Sequence, residues 1–106
     1  MEIDLLQDIE VFDSDGTLIK NKQGGPPPLK EVLLIALRSP HNSDASQGFR
    51  EKNERYLMAK RITASDKIAL TKEEAKLLKE RVGMMFMQME IVGRVGEILD
   101  EAEGHS

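Results

Sequence analysis

The sequence predicts an α+β domain in which a short N-terminal β-hairpin packs on a bundle of three to four α-helices. Near the N-terminus, apolar residues alternate with acidic ones, which is typical of a β-strand. A glycine- and proline-rich stretch follows, and after it the apolar residues recur at helical spacing. The chain has 106 residues, of which 40% are hydrophobic and 4% aromatic. That length supports one domain with one core, built mainly from aliphatic side chains.

The first part of the chain, 1–20, is the predicted β-hairpin region. Asp13–Gly16 supplies turn chemistry, because aspartates bond local amides and glycine adopts positive φ. We therefore predict a hairpin over residues 8–20. The segment 21–28 is predicted as a linker, with two glycines and three prolines. Strand-like alternation is shown by four apolar residues at odd positions: Ile3, Leu5, Ile9 and Val11.

The helical region, 29–103, begins with a helix over residues 29–37, just after Pro28. Proline is tolerated at the start of a helix because its missing N–H would have no partner there. Pro40 ends this helix, and the polar segment 39–48 is predicted as the most mobile internal loop. A wide apolar face makes the first helix central, and its members are Leu29, Val32, Leu33, Ala36 and Leu37.

A second helix is predicted from Phe49 to about Ser65, charged on one side. Residues 68–70 are predicted as a short extended connector. The opposite, apolar face of the second helix is assigned to Phe49, Tyr56, Ala59, Ile62 and Thr63.

A capping box formed by Thr71 and Glu74 starts the third helix. Gly83 weakens the join to a fourth helix, predicted from about Gln88, without forbidding one continuous helix, so both possibilities stay open. The third helix carries an apolar stripe of Ala75, Leu78, Val82 and Met85 or Phe86. The fourth carries Ile91 or Val92, Val95, Ile98, Leu99 and Ala102.

Charge is unevenly distributed along the chain. Residues 1–17 contain six acidic and no basic side chains, whereas residues 49–61 contain five basic and two acidic ones. Such asymmetry either steers a partner or pairs the two regions within the fold, and we favour internal pairing. The net charge of −4 disfavours a general nucleic-acid binder, because neutralising phosphates requires clustered Lys and Arg.

The absence of cysteine excludes disulfides and thiolate zinc sites and fits a reducing cytoplasm. The acidic start Met1–Asp4 is unlike a signal peptide, and the apolar run Val32–Leu37 is far shorter than the roughly 20 residues that span a membrane. His41 and His105 are far apart and lack ligand spacing. We therefore expect a cytoplasmic protein without a membrane anchor, a metal site or a cofactor.

The segment Val11–Leu18 resembles the first motif of haloacid-dehalogenase-type phosphatases, an apolar strand followed by Asp-x-Asp-Gly-Thr. The resemblance implies Asp13 as the nucleophile, Asp15 as the general acid and magnesium beside Asp13. The chemistry also requires a lysine, further carboxylates and a parallel sheet of βα units. Since no later pair of acids follows an apolar strand, we interpret the motif as a turn and predict no catalytic residue. A phosphohydrolase that uses Asp13 and Asp15 is the enzymatic alternative.

Five apolar residues in six surround the join between the third and fourth helices. They cannot all face one core if the segment is helical, because they cover more than one face. Flexible thioethers fill irregular cores and also form adaptable protein-binding surfaces, so both roles stay open. The predicted partner-binding residues are Met84, Met85, Phe86, Met87 and Met89.

The order of these elements is similar to that of small proteins of unknown activity encoded by tailed bacteriophages and prophages. The resemblance implies a non-enzymatic accessory protein of the bacterial host cytoplasm, acting through protein–protein contacts in virion morphogenesis or on a host factor. An acidic inhibitor that mimics nucleic acid and blocks a host enzyme is an alternative. The segments that carry the resemblance are the Asp-rich hairpin, Leu29–Leu33, Ile68–Glu74, Lys79–Gly83 and Ile91–Leu99.

Overall fold

The predicted α+β class is confirmed by a computed structural model, which describes residues 2–104. Two short strands form one antiparallel sheet beside the helices. A 3-10 helix, Asn42–Ser46, follows the first α-helix. The strands are β1 (Glu2–Asp4) and β2 (Lys67–Ala69), and the helices are α1 (Leu29–Arg38), α2 (Phe49–Thr63), α3 (Lys72–Met85) and α4 (Met89–Gly104).

The regular strand pairing joins distant parts of the chain. Ile3 of β1 lies opposite Ile68 of β2, and both side chains are buried. The predicted connector 68–70 therefore supplies most of β2. Within residues 8–20 the chain reverses as predicted, with a single bridge between Phe12 and Leu18. The pairing of β1 with β2 could not be predicted from the sequence. Turn residues indicate which neighbouring segments pair, but they do not identify a partner strand so far along the chain.

The N-terminal segment also caps the start of α1. The first amides of a helix have no partner within the helix. Here the Leu29 N–H donates to the Gln7 carbonyl at 2.8 Å, and the Lys30 N–H donates to the Leu5 carbonyl at 2.9 Å. These bonds replace the side-chain cap that Pro28 cannot provide. The Leu5 N–H also donates to the Asp66 carbonyl, just before β2. The backbone of Leu5 therefore binds both the start of α1 and the segment that leads into β2.

Helix α1 is central, and the five residues predicted for its apolar face are all buried. The predicted face of α2 is wrong in part. Phe49 is 83% exposed and Tyr56 58% exposed, and Thr63 is also exposed. The buried residues of α2 are Met58, Ala59 and Ile62, which lie three and four positions apart on one stripe. The prediction placed the two aromatic residues on the buried face, whereas the face that packs on the core is the stripe that contains Met58, Ala59 and Ile62.

The predicted capping box at the start of α3 is confirmed. The Glu74 N–H donates to Thr71 Oγ1 at 3.1 Å, and the Thr71 N–H donates to Glu74 Oε1 at 2.9 Å. Arg61 of α2 pairs with Glu74 and also donates to the Ala69 carbonyl. Burial would raise the pKa of Glu74, but the bonds from Thr71 and the charge of Arg61 outweigh it and lower that pKa.

One charged side chain, Arg81 of α3, is buried at 2% exposure. Its Nε donates to the Ala36 carbonyl at 3.0 Å, and its Nη2 donates to the Ser39 carbonyl at 2.8 Å. Its Nη1 donates to Asp44 Oδ1 at 2.8 Å. Arg81 thus caps the end of α1 and holds the segment that follows it, a role that the apolar stripe of α3 does not predict.

Asp44 is the centre of the segment predicted as a polar loop, 39–48. Besides the Arg81 bond, its Oδ2 accepts the His41 N–H at 2.8 Å and Arg55 Nη1 at 3.2 Å. The segment contains the 3-10 helix and is attached to α2 and α3 by the ion pairs of Asp44 with Arg55 and Arg81. Although its composition is polar, the segment is attached to the helices. The mobility predicted for it stays a prediction.

The pKa of Asp44 predicts how stability depends on pH. Burial would raise this pKa, but hydrogen bonds from Arg81 and the His41 amide, with the charges of Arg81 and Arg55, lower it from 3.8 to about 2. A carboxyl whose pKa is lower in the folded state stabilises the fold above the unfolded pKa, and this contribution is lost as pH falls. The contribution of Asp44 should therefore disappear as pH falls from 3.8 toward about 2.

Urea unfolding of the wild type and of Asp44→Asn, from about pH 6 to about pH 2, measures this directly. The difference in free energy of unfolding between the two proteins should be largest at the high end and should shrink at the low end. Asp66→Asn is the control, because Asp66 is exposed and pairs with Lys30 at 3.8 Å. A difference for Asp44→Asn that stays constant over this range would contradict the role of the ionised carboxylate.

Candidate functional site

The junction between α3 and α4 is a break, so the two helices are not continuous. Helix α3 runs through Gly83 and ends at Met85, and residues 86–88 connect it to α4. Phe86 has extended backbone angles, and its N–H donates to the Val82 carbonyl. The Gln88 carbonyl then accepts the first amide bonds of α4. Gly83 is therefore not the point of interruption.

The five predicted partner-binding residues fall into two groups by burial. Met85 and Phe86 are half-buried and pack against the core. Met87 is 99% exposed, Met89 78% and Met84 39%. An extended connection lets Phe86 face the core while Met87 faces away, as successive residues of extended chain do. We call the three exposed methionines, Met84, Met87 and Met89, the junction surface.

An apolar groove adjoins the junction. It has a volume of about 330 Å³, and its lining includes Phe86, Gln88 and Ile91. A second, larger groove of about 660 Å³ runs along the outer side of α1 past Leu6. Ile35 lines both grooves and is exposed, so the two form one stretch of surface. Sequence reasoning missed these grooves, although the position of Ile35 off the buried stripe of α1 was a usable signal.

The Asp-x-Asp-Gly segment forms a tight turn. Asp13 Oδ1 accepts the N–H of Asp15 at 2.9 Å and the N–H of Thr17 at 3.0 Å. The Gly16 N–H donates to the Asp13 carbonyl, and Gly16 has a φ of 80°, which favours glycine. The Asp13 carboxylate thus bonds the amides of its own turn. The sheet of the described residues is two-stranded and antiparallel, unlike the parallel βα sheet that the phosphatase resemblance implies.

No group of three or more His, Asp or Glu side chains is arranged for a metal within residues 2–104. His41 is half-buried, and its amide bonds to Asp44. His105 lies outside the described residues. Within that same range, no helix has the length and apolar character needed to cross a membrane.

The expected pairing between the acidic N-terminal region and the basic second helix is wrong. Among the ion pairs of the described residues, none joins an acid of residues 2–17 to a base of residues 49–61. Arg55 pairs with Asp44, and Arg61 pairs with Glu74. Acids on nearby helices and loops bind these two bases, so the acidic N-terminal region does not neutralise them.

Comparison with known proteins provides no relative from which a function could be transferred. No family model, no curated protein and no solved structure matches the chain. The function of the junction surface and of the Asp13 turn must therefore be argued from their own geometry.

The geometry of Asp13 predicts that Asp13→Asn leaves the fold nearly unchanged, because an amide oxygen accepts the same two N–H groups. Asp13→Ala removes that acceptor and should lower the free energy of unfolding by about 1 kcal/mol. Urea unfolding compares the two variants. Magnesium should not raise the melting temperature of the wild type, and a generic phosphate ester should not be hydrolysed. Magnesium-dependent phosphate release that Asp13→Asn abolishes would overturn the interpretation of this segment as a turn.

Proposed function

We propose that the chain is a non-enzymatic interaction protein that binds a protein partner, or a second copy of itself, through the α3–α4 junction. The observation that carries the proposal is the exposure of the junction surface, where Met87 is almost fully solvent-accessible beside Met89. In contact with a partner, both side chains would leave water. Full burial of one such side chain is worth about 1.5 to 3 kcal/mol.

The half-buried members of the predicted site support the exposed ones. Met85 and Phe86 pack against the core, so the backbone that presents Met87 is anchored on its inner side. Methionine is flexible and polarisable, and surfaces rich in it adapt to a partner's shape. The neighbouring groove, which Phe86 and Ile91 help to line, provides a concave surface beside the convex methionines. A partner side chain entering this groove would be adjacent to the junction surface.

The biological role that we propose rests on the resemblance of the chain to small proteins encoded by tailed bacteriophages and prophages. In that setting the chain is an accessory protein of a tailed phage or prophage, acting in the bacterial host cytoplasm. Its contact would serve virion morphogenesis or modify a host factor. An apolar contact surface suits either role, because such surfaces on small domains are normally covered by another chain.

The proposal predicts that Met87→Glu weakens association about tenfold or more, which corresponds to about 1.4 kcal/mol. The monomer should remain folded, because an exposed substitution usually changes stability by less than about 0.5 kcal/mol. Sedimentation equilibrium measures self-association, capture from infected or host bacterial lysate measures partner binding, and circular dichroism confirms the fold.

Phe49→Glu is the matched control. Phe49 is also an exposed apolar residue, but it lies at the start of α2 rather than at the junction. Association should survive Phe49→Glu and fail with Met87→Glu. If Met87→Glu leaves both the oligomeric state and partner capture unchanged while the protein stays folded, the junction is not the contact surface.

A further inference from the structure

A basic pocket lies between α1 and α2. Its volume is about 270 Å³, and it shares no lining residue with the groove at the junction. No acidic side chain of the described residues lines it. Four of the residues around it are cationic: Arg38, Lys52, Arg55 and Lys60.

Three of these cations lack a carboxylate partner within the described residues. Arg38 Nη2 donates to the neutral Thr63 Oγ1 at 3.1 Å. Lys60 Nζ lies 5.7 Å from the centre of the Tyr56 ring, a contact that leaves its charge intact. Lys52 is exposed. The positive charge of the pocket is therefore not cancelled by the fold.

Arg55 adds to this excess even though it has an acidic partner. It shares the single carboxylate of Asp44 with Arg81, so two guanidinium groups face one negative charge. Arg55 Nε is buried and has no hydrogen-bond acceptor among the described residues. The guanidinium of Arg55 is therefore only partly compensated within the fold.

We propose that this pocket binds a small phosphorylated compound through its phosphate group. A phosphate monoester carries a charge of about −1.5 to −2 at neutral pH and has three strong acceptor oxygens. Guanidinium and ammonium donors together match that pattern. The volume lies just below the range of roughly 300 to 1,000 Å³ typical of ligand pockets, which favours a small ligand. The exposed ring of Tyr56 would contact the organic part.

The sequence supplies a reporter at this pocket. Tyr56 is the single tyrosine of the chain, which has no tryptophan, so tyrosine fluorescence reports from one place. The wild type is titrated with inorganic phosphate and with ribose 5-phosphate, while sodium chloride holds the ionic strength constant. Both should give saturable changes, and ribose alone should give none. Equal midpoints would indicate recognition of the phosphate alone, and a lower midpoint for ribose 5-phosphate would show that the sugar contributes.

Charge-matched variants locate the binding. Lys52→Gln should raise the midpoint about fivefold, as expected for loss of one charge–charge contact near water. Lys76→Gln removes the same charge from the exposed side of α3 and should leave the midpoint within about twofold of wild type. Equal effects of the two variants would overturn the proposal. So would the absence of a saturable change, or a response to a single-stranded oligonucleotide but not to ribose 5-phosphate.

Discussion

The fold depends on one buried guanidinium. Arg81 bonds the carbonyl groups of Ala36 and Ser39 and the carboxylate of Asp44. A buried charge is tolerated only when its donors are satisfied, and removing one partner of such a pair costs roughly 3 to 5 kcal/mol. Arg81 therefore holds α3 against the end of α1 and against the segment that follows α1, and it determines the path of that segment. At its other end, α1 is capped by the Leu5 and Gln7 carbonyls, so distant partners hold the central helix at both ends.

This arrangement determines which surfaces remain for contacts. Helix α1 turns its apolar stripe into the core, and the outer residue Ile35 is left to line the two grooves. Asp44 binds Arg55 but leaves Lys52 and Lys60 without acidic partners, so the same network that closes the interior leaves a basic pocket outside it. The α3–α4 break then adds an apolar surface whose exposed methionines do not line the basic pocket. The proposed protein contact and the proposed anion site thus rest on different residues and can be tested separately.

Much of this fold could be predicted from local patterns. The apolar face of α1 and the Thr71 capping box were confirmed because each depends on residues three or four positions apart. What could not be predicted depends on distant partners. Arg81 can be buried only because the end of α1 and Asp44, both distant in sequence, accept its hydrogen bonds. The apolar stripe of α3 does not predict that a charged residue belongs to the core. Of the candidate site, the surplus of apolar residues around Met87 could be predicted from the sequence, whereas the directions that Phe86 and Met87 face depend on the break at residues 86–88.

The most direct test of the central role of Arg81 is amide hydrogen exchange in the wild type, in Arg81→Met and in Arg94→Met. Arg94 is the control, because it forms a partly exposed ion pair with Glu97 within α4, of the kind that contributes at most about 1 kcal/mol. The amides of His41, Asp44 and Gln47, which are hydrogen-bonded in this segment, should exchange more slowly in the wild type and in Arg94→Met than in Arg81→Met. In Arg81→Met their protection should fall more than that of the core amides of α4. Unchanged exchange of these three amides in Arg81→Met, or an equal acceleration in Arg94→Met, would contradict the central role of Arg81.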